Sequence, residues 1–171
     1  MKIKFIIVFI IFLFVSKLTV AQNQEQDRKE IDKVVSSLYK AISFGKGETP
    51  DYDLLNDIHF SEAVVGVVDT TKIKIFTEEE FRTANKVAFK KHKVISFHEK
   101  EIHEITHVYG GVAVRFSSYE FTIKLENKQQ TIRGVNTIQL VKKPKGTWVI
   151  YSVIFSDNRS YPDVPSIYLK K

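Results

Sequence analysis

The residues with the most chemical promise are His103-Glu104-Ile105-Thr106-His107, an H-E-x-x-H pattern. On a helix its two histidines lie on one face a turn apart. There they can share a zinc ion, with the glutamate as general base. The flanks argue for a strand instead. Phe97, Ile102, Ile105 and Val108 precede Gly110-Gly111, so a helix would have to end within one turn of His107. On a strand, His103 and His107 share a face but stand about 13 Å apart, at ~3.3 Å per residue. A single zinc bonded to each at ~2.0–2.1 Å cannot bridge that gap. Glu104 then points to the opposite face. No metal site is expected, and a zinc peptidase is the weakest of the functional readings.

The remaining polar candidates are scattered over the strands and the first helix. Between 131 and 141, alternation puts Arg133, Val135, Thr137 and Gln139 on one face, and Ile132, Gly134, Asn136, Ile138 and Leu140 on the other. Asn136 is the polar exception on an apolar face, and a buried amide needs partners or a ligand. Between 112 and 125, Arg115, Ser117, Tyr119 and Phe121 share a face against Phe116, Ser118 and Glu120. Glu120 with Arg133 reads either as a cross-strand ion pair or as part of a site. The candidate ligand-binding residues are Tyr39, Glu101, Tyr119, Glu120, Arg133 and Asn136. No catalytic residue can be assigned.

The elements that must position them follow from periodicity. Residues 1–21 have the parts of a secretory signal: Lys2 and Lys4, an apolar run from Phe5 to Val15, and Thr19-Val20-Ala21 before Gln22. Cleavage is expected after Ala21. Residues 22–28 read as a polar lead-in. Helix 29–44 follows, with Ile31, Val34, Val35, Leu38 and Ile42 on one face. A short helix is expected over 51–60 and a short strand over 63–68. Thr77 and Glu80 form a capping box, with Phe76 and Phe81 as a hydrophobic staple, opening a helix that runs to about Lys91. Four strands follow at about 95–108, 112–125, 131–141 and 147–156, joined by short turns. Residues 158–171 form a tail that wraps the surface. The fold class is α+β: a cone-shaped roll, with helices on the concave face of a curved, mostly antiparallel sheet spanning 29–157.

Composition bounds the partners. The chain has 171 residues and a formal charge of +6. Loss of 1–21 removes Lys2, Lys4 and Lys17 and no acid, leaving +3 on 150 residues. That is no footprint for nucleic acid. With no cysteine, disulfides, thiolate metal sites and a cysteine nucleophile are excluded. No cofactor is called for, and no membrane contact is expected after signal cleavage. Export, to the periplasm or beyond, is expected.

The ordered set of motifs resembles the SnoaL-like, ketosteroid-isomerase-like superfamily, also called nuclear transport factor two-like, in a bacterial branch. The residues carrying the resemblance are Leu38-Tyr39-Lys40-Ala41-Ile42-Ser43, Asp51-Tyr52-Asp53 and Phe97-His98-Glu99-Lys100-Glu101-Ile102. They continue through Tyr109-Gly110-Gly111-Val112-Ala113, Phe116-Ser117-Ser118-Tyr119-Glu120 and Arg133-Gly134-Val135-Asn136-Thr137-Ile138-Gln139-Leu140. Trp148-Val149-Ile150 and Pro165-Ser166-Ile167-Tyr168-Leu169 complete the set. The resemblance implies a cavity for a small molecule and a homodimer. It does not carry the isomerase chemistry with it. That chemistry needs a first-strand carboxylate base and an oxyanion hole of a Tyr and a protonated Asp. The base position, near Val67, holds no acid; Asp69 belongs to a turn before Thr70-Thr71. The expected function is therefore an exported small-ligand-binding protein. The alternatives are an enzyme on a small organic substrate (isomerase, cyclase, dehydratase or hydrolase type) and a dimeric interaction module.

Overall fold

The computed structural model describes residues 24–169; the proposed signal segment lies outside them. Among the described residues there are three α-helices: α1 (24–42), α2 (Tyr52–Ile58) and α3 (Glu78–Lys91). Six strands make one curved, unclosed sheet: β1 (His59–Val68), β2 (Ile73–Thr77), β3 (Ser96–Tyr109), β4 (Val112–Lys124), β5 (Gln129–Lys142) and β6 (Trp148–Asp157). Their order is β2-β1-β6-β5-β4-β3. Strands β3 to β6 form the expected antiparallel meander, and β1 joins β6 in parallel. The α+β architecture expected from the sequence is the one observed.

Helix α1 packs the predicted stripe against the sheet. Ile31, Val35 and Leu38 are buried with Ile138, Leu140, Trp148 and Ile150 in one core. The helix begins before residue 29, so the lead-in is wrong for residues 24–28. Asp27 explains why. It is buried and accepts from the Trp148 indole N–H at 3.0 Å and from Lys142 Nζ at 2.5 Å. This tertiary anchor turns a polar stretch into the first turns of a helix.

Strand β2 is an element that the sequence pattern did not predict. Asp69 Oδ1 accepts from the backbone N–H of Thr71 (2.7 Å) and of Lys72 (2.9 Å), closing a tight turn. Ile73 to Thr77 then pair antiparallel with Val68 to Val64. Strand β1 also starts four residues earlier than expected, directly after α2.

At the start of α3, Thr77 accepts from the Glu80 N–H and the Glu80 carboxylate accepts from the Thr77 N–H. The Phe76 and Phe81 rings lie 6.1 Å apart, centroid to centroid, as a staple requires. Thr77→Ala is expected to cost about 1 kcal/mol, read as a lowered urea midpoint with unchanged slope.

The H-E-x-x-H residues lie in the middle of β3, paired with β4 from His103↔Ser118 to His107↔Val114. The extended backbone keeps the two histidines apart, and Glu104 turns inward to Arg115, 3.6 Å away. The strand geometry therefore overturns the zinc-peptidase reading. Beyond β6 the chain crosses the outer sheet face. Val164 is buried, the Tyr168 ring lies 4.9 Å from that of Phe116, and Asp163 approaches Arg133 at 3.8 Å.

Candidate functional site

The concave side of the sheet, with α2 and α3 above it, encloses a cavity of about 360 Å³. Its walls are largely aromatic: Phe81 and Phe89 from α3, Phe97 from β3, Phe121 from β4 and Phe155 from β6. Helical spacing brings Glu78, Phe81, Arg82, Asn85 and Phe89 onto the face of α3 that looks into this space. No apolar residue of α3 is fully buried. The helix covers a hollow instead of a packed core.

A cluster of polar groups faces the cavity from the sheet. Glu99, Tyr119 and Asn136 come from β3, β4 and β5, three adjacent strands. Burial pushes the Glu99 carboxyl up to about 8, and the negative charge of Asp157 adds to this. The Asn136 amide beside the carboxyl works the other way. Glu99 is half-buried and lines the cavity, and a carboxyl raised in this way holds its proton at pH 7 and can donate a hydrogen bond. Burial likewise raises the Tyr119 phenol, with Glu99 and Asp157 contributing. Tyr119 is 2% exposed and its hydroxyl has no hydrogen-bond partner among the described residues. It is not sealed off either, since Ser118 Oγ is the one closed-in side-chain polar atom without a partner among them. The Tyr119 ring needs Gly134 beside it: a Cβ there would stand 2.5 Å from the hydroxyl and 2.4 Å from the Ser156 carbonyl oxygen. Gly134→Ala is expected to displace the ring and to destabilise by roughly 1–3 kcal/mol, read by urea melts and the Tyr119 ring resonances.

A second polar group sits under α2 and α3. His59 is buried, and its Nδ1 lies 2.7 Å from the Leu55 carbonyl, to which it donates. Burial lowers its pKa, against that hydrogen bond and the nearby Glu78, so the ring is neutral with Nε2 free of a proton. The two arginines on the cavity wall each have a carboxylate partner. Arg82 Nε is 3.2 Å from Glu78, and Arg159 Nε is 2.9 Å from Asp157.

The structure brings three of the six sequence candidates together. Tyr119 and Asn136 line the cavity, and Tyr39 lies directly behind, its hydroxyl 3.0 Å from Asn136 Nδ2. Glu101 is on the inner side but is held by Arg115, whose Nε and NH2 reach it at 2.8 and 2.5 Å. Glu120 and Arg133 do not reach the cavity. They face each other across β4 and β5, 2.9 Å apart, with Lys100 also on Glu120. Alternation puts Glu120 on the side opposite Tyr119, and the cross-strand ion pair is what that face holds. Glu99 and His59 complete the site and were not among the candidates. The signal for Glu99 was present: Phe97 faces the core, and two residues on is the same face.

No family model matches the chain, and no curated protein does. Solved structures do. LinA superposes with a TM-score of 0.64 at 14% identity, covering 81% of this chain and 90% of that one. A protein from Streptomyces avermitilis proposed to be a dehydratase of the NTF2-like family gives 0.60 at 13%, covering 78% and 96%. A nuclear transport factor 2-like superfamily protein from Salmonella enterica gives 0.58 at 17%, covering 80% and 92%. At these identities the likeness is one of fold.

Proposed function

We propose that this chain, built on the nuclear transport factor 2-like fold, is an exported protein that binds a small, uncharged, mostly apolar organic molecule in its cone. The supporting observation is the Glu99–Tyr119–Asn136 cluster at the end of an aromatic cavity. Buried polar atoms without partners are costly unless something satisfies them. A ligand carrying an oxygen acceptor does so here. Because Arg82 and Arg159 already have carboxylate partners, no free cation is left for an acidic ligand.

Titration of the labelled protein with 2-acetylnaphthalene, followed by NMR, tests this. Shifts confined to cavity residues, and an affinity reduced about tenfold in Tyr119→Phe, are expected. Shifts spread over the outer sheet face instead would sink the reading. Export is tested separately, since the secreted protein is expected to begin at Gln22. A homodimer is proposed through the outer sheet face, where Ile105, Val114 and Tyr151 are exposed. Sedimentation equilibrium is expected to give twice the chain mass.

A second reading, as an enzyme, is favoured by the pairing of a neutral acid with a neutral imidazole in one cavity. Glu99 and Tyr119 both donate, as an oxyanion hole requires. His59 Nε2 is the candidate proton acceptor, in place of the acid absent near Val67. Deuterium exchange at the α-carbon of a bound ketone, lost in His59→Ala, is the expected sign of it.

A further inference from the structure

Behind the cavity wall a chain of side-chain hydrogen bonds runs from Asn136 to Arg115, and its direction is fixed. Arg115 is buried and binds Glu101 through two N–H groups, at 2.8 and 2.5 Å. As the carboxylate of that ion pair, Glu101 only accepts. Ser117 Oγ, in contact with Glu101, must therefore donate to it. Its single proton is then used, so at the 2.6 Å contact Ser117 accepts from the Tyr39 hydroxyl. The Tyr39 proton is used in turn, and its oxygen can only accept from Asn136, at 3.0 Å. An amide oxygen facing Tyr39 would put two acceptors against each other. The Asn136 side chain is thus held with Nδ2 toward Tyr39, and it is 5% exposed. Its Oδ1 has no partner among the described residues, is not sealed off, and belongs to a residue that lines the cavity.

We propose that Tyr39 is a positioning residue that makes Asn136 an acceptor toward the cavity, so that the preferred ligand carries a hydrogen-bond donor beside its acceptor oxygen. This rests on the ligand-binding reading above and adds the chemical class. The Tyr119 hydroxyl is a donor, and the Asn136 oxygen on the neighbouring strand is an acceptor. A primary carboxamide, a lactam or a hydroxy-ketone meets both. A simple ketone, ester or ether meets the donor and leaves Oδ1 unsatisfied. Nothing on the wall behind the amide relieves this, because Tyr39 and Ser117 both spend their protons toward Glu101, which Arg115 holds from the other side.

The test uses two near-isosteric neutral probes, 2-naphthamide and 2-acetylnaphthalene, which differ by NH2 against CH3. Dissociation constants are measured by calorimetry on the wild type, Tyr39→Phe and Ser117→Ala. The wild type is expected to bind the carboxamide about tenfold more tightly. Tyr39→Phe frees the Asn136 amide to turn, and the preference should fall to within about twofold while the ketone still binds. Ser117→Ala reaches the same end by another route, since the Tyr39 proton can then turn to Asn136. A merely structural role for Tyr39 would weaken both probes together and leave their ratio alone. Equal binding of the two probes by the wild type, or a preference that survives both substitutions, overturns the inference and leaves the ligand-binding reading standing. Failure of both probes to bind overturns both readings. A ligand-free measurement stands beside these: the Asn136 side-chain NH2 should show a nuclear Overhauser contact to the Tyr39 ring. Its absence in the folded wild type also overturns the orientation.

Discussion

Glu99→Gln is expected to flatten the pH dependence of stability between pH 5 and pH 8. The folded-state pKa of Glu99 is raised to about 8, from an ordinary value of 4.5. Below 4.5 the carboxyl is protonated whether the chain is folded or not, and it contributes nothing to the pH dependence. Between 4.5 and 8 the unfolded chain releases the proton and the folded chain keeps it. Stability therefore falls as pH rises, by about 1.4 kcal/mol per unit. Above 8 both states are ionised and the loss is complete. From pH 5 to pH 8 the wild type should lose on the order of 3–4 kcal/mol through this group, and the glutamine variant should not. The sign is opposite to that of a salt-bridged carboxylate, which gains stability as pH rises toward its unfolded-state pKa and is level above it. His59 bends the acid side the other way, because its lowered pKa makes stability fall as pH drops below 6.5. That contribution is common to wild type and variant, so it cancels in their difference. Urea melts at each pH give the difference directly. Parallel curves for the two proteins would mean that Glu99 is ionised and solvated at neutral pH, and would remove the donor from the proposed site.

The meander was legible because each of its strands alternates over many residues and is bounded by a short polar or glycine turn. The α3 cap was legible because all its parts lie within six residues of sequence. What escaped depends on contacts distant in sequence. The first turns of α1 are helical because Asp27 finds Trp148 and Lys142, more than a hundred residues away. At the site, alternation alone placed Asn136 and Tyr119 on the inner face. Glu99 and Glu101 share the same local pattern, two acids on one face of β3. Their different fates are set by where Arg115 falls on β4. It claims Glu101 across the bulge between Glu101 and His103 and leaves Glu99 without a cation. The pattern of one strand does not say which of two inward acids will be paired and which will face a hollow. Glu120 and Arg133 fail as candidates for a simpler reason. Membership in a family-like motif says nothing about which way a side chain faces, and alternation did.

Arg115→Met should be the most damaging substitution outside the apolar core, costing roughly 3–5 kcal/mol. Three carboxylates approach this guanidinium, and they do not suffer equally from its loss. The Asp32 side chain is 60% exposed, and Glu104 lies partly in solvent; both can turn to water. Glu101 is largely enclosed and also accepts from Ser117, so it stays in place as an unpaired charge. Burial opposes the charge on Arg115, but its hydrogen bonds to Glu101 and Asp32 outweigh that and hold it protonated. The deficit in the variant is therefore the stranded carboxylate more than the lost attraction. It follows that Arg115→Met with Glu101→Leu should be more stable than Arg115→Met alone, although it removes a second native side chain. Chemical denaturation of the wild type, both single variants and the double variant decides it through the coupling energy. A double variant as unstable as the sum of the singles would show that Arg115 acts by packing its stem, with the ion pair incidental. If the coupling holds, the same double variant retains a folded wall with Ser117 no longer bound to a carboxylate. Tyr39 and Asn136 would then lose their imposed direction at little cost in stability, which separates what this buried network does for the fold from what it does for the cavity.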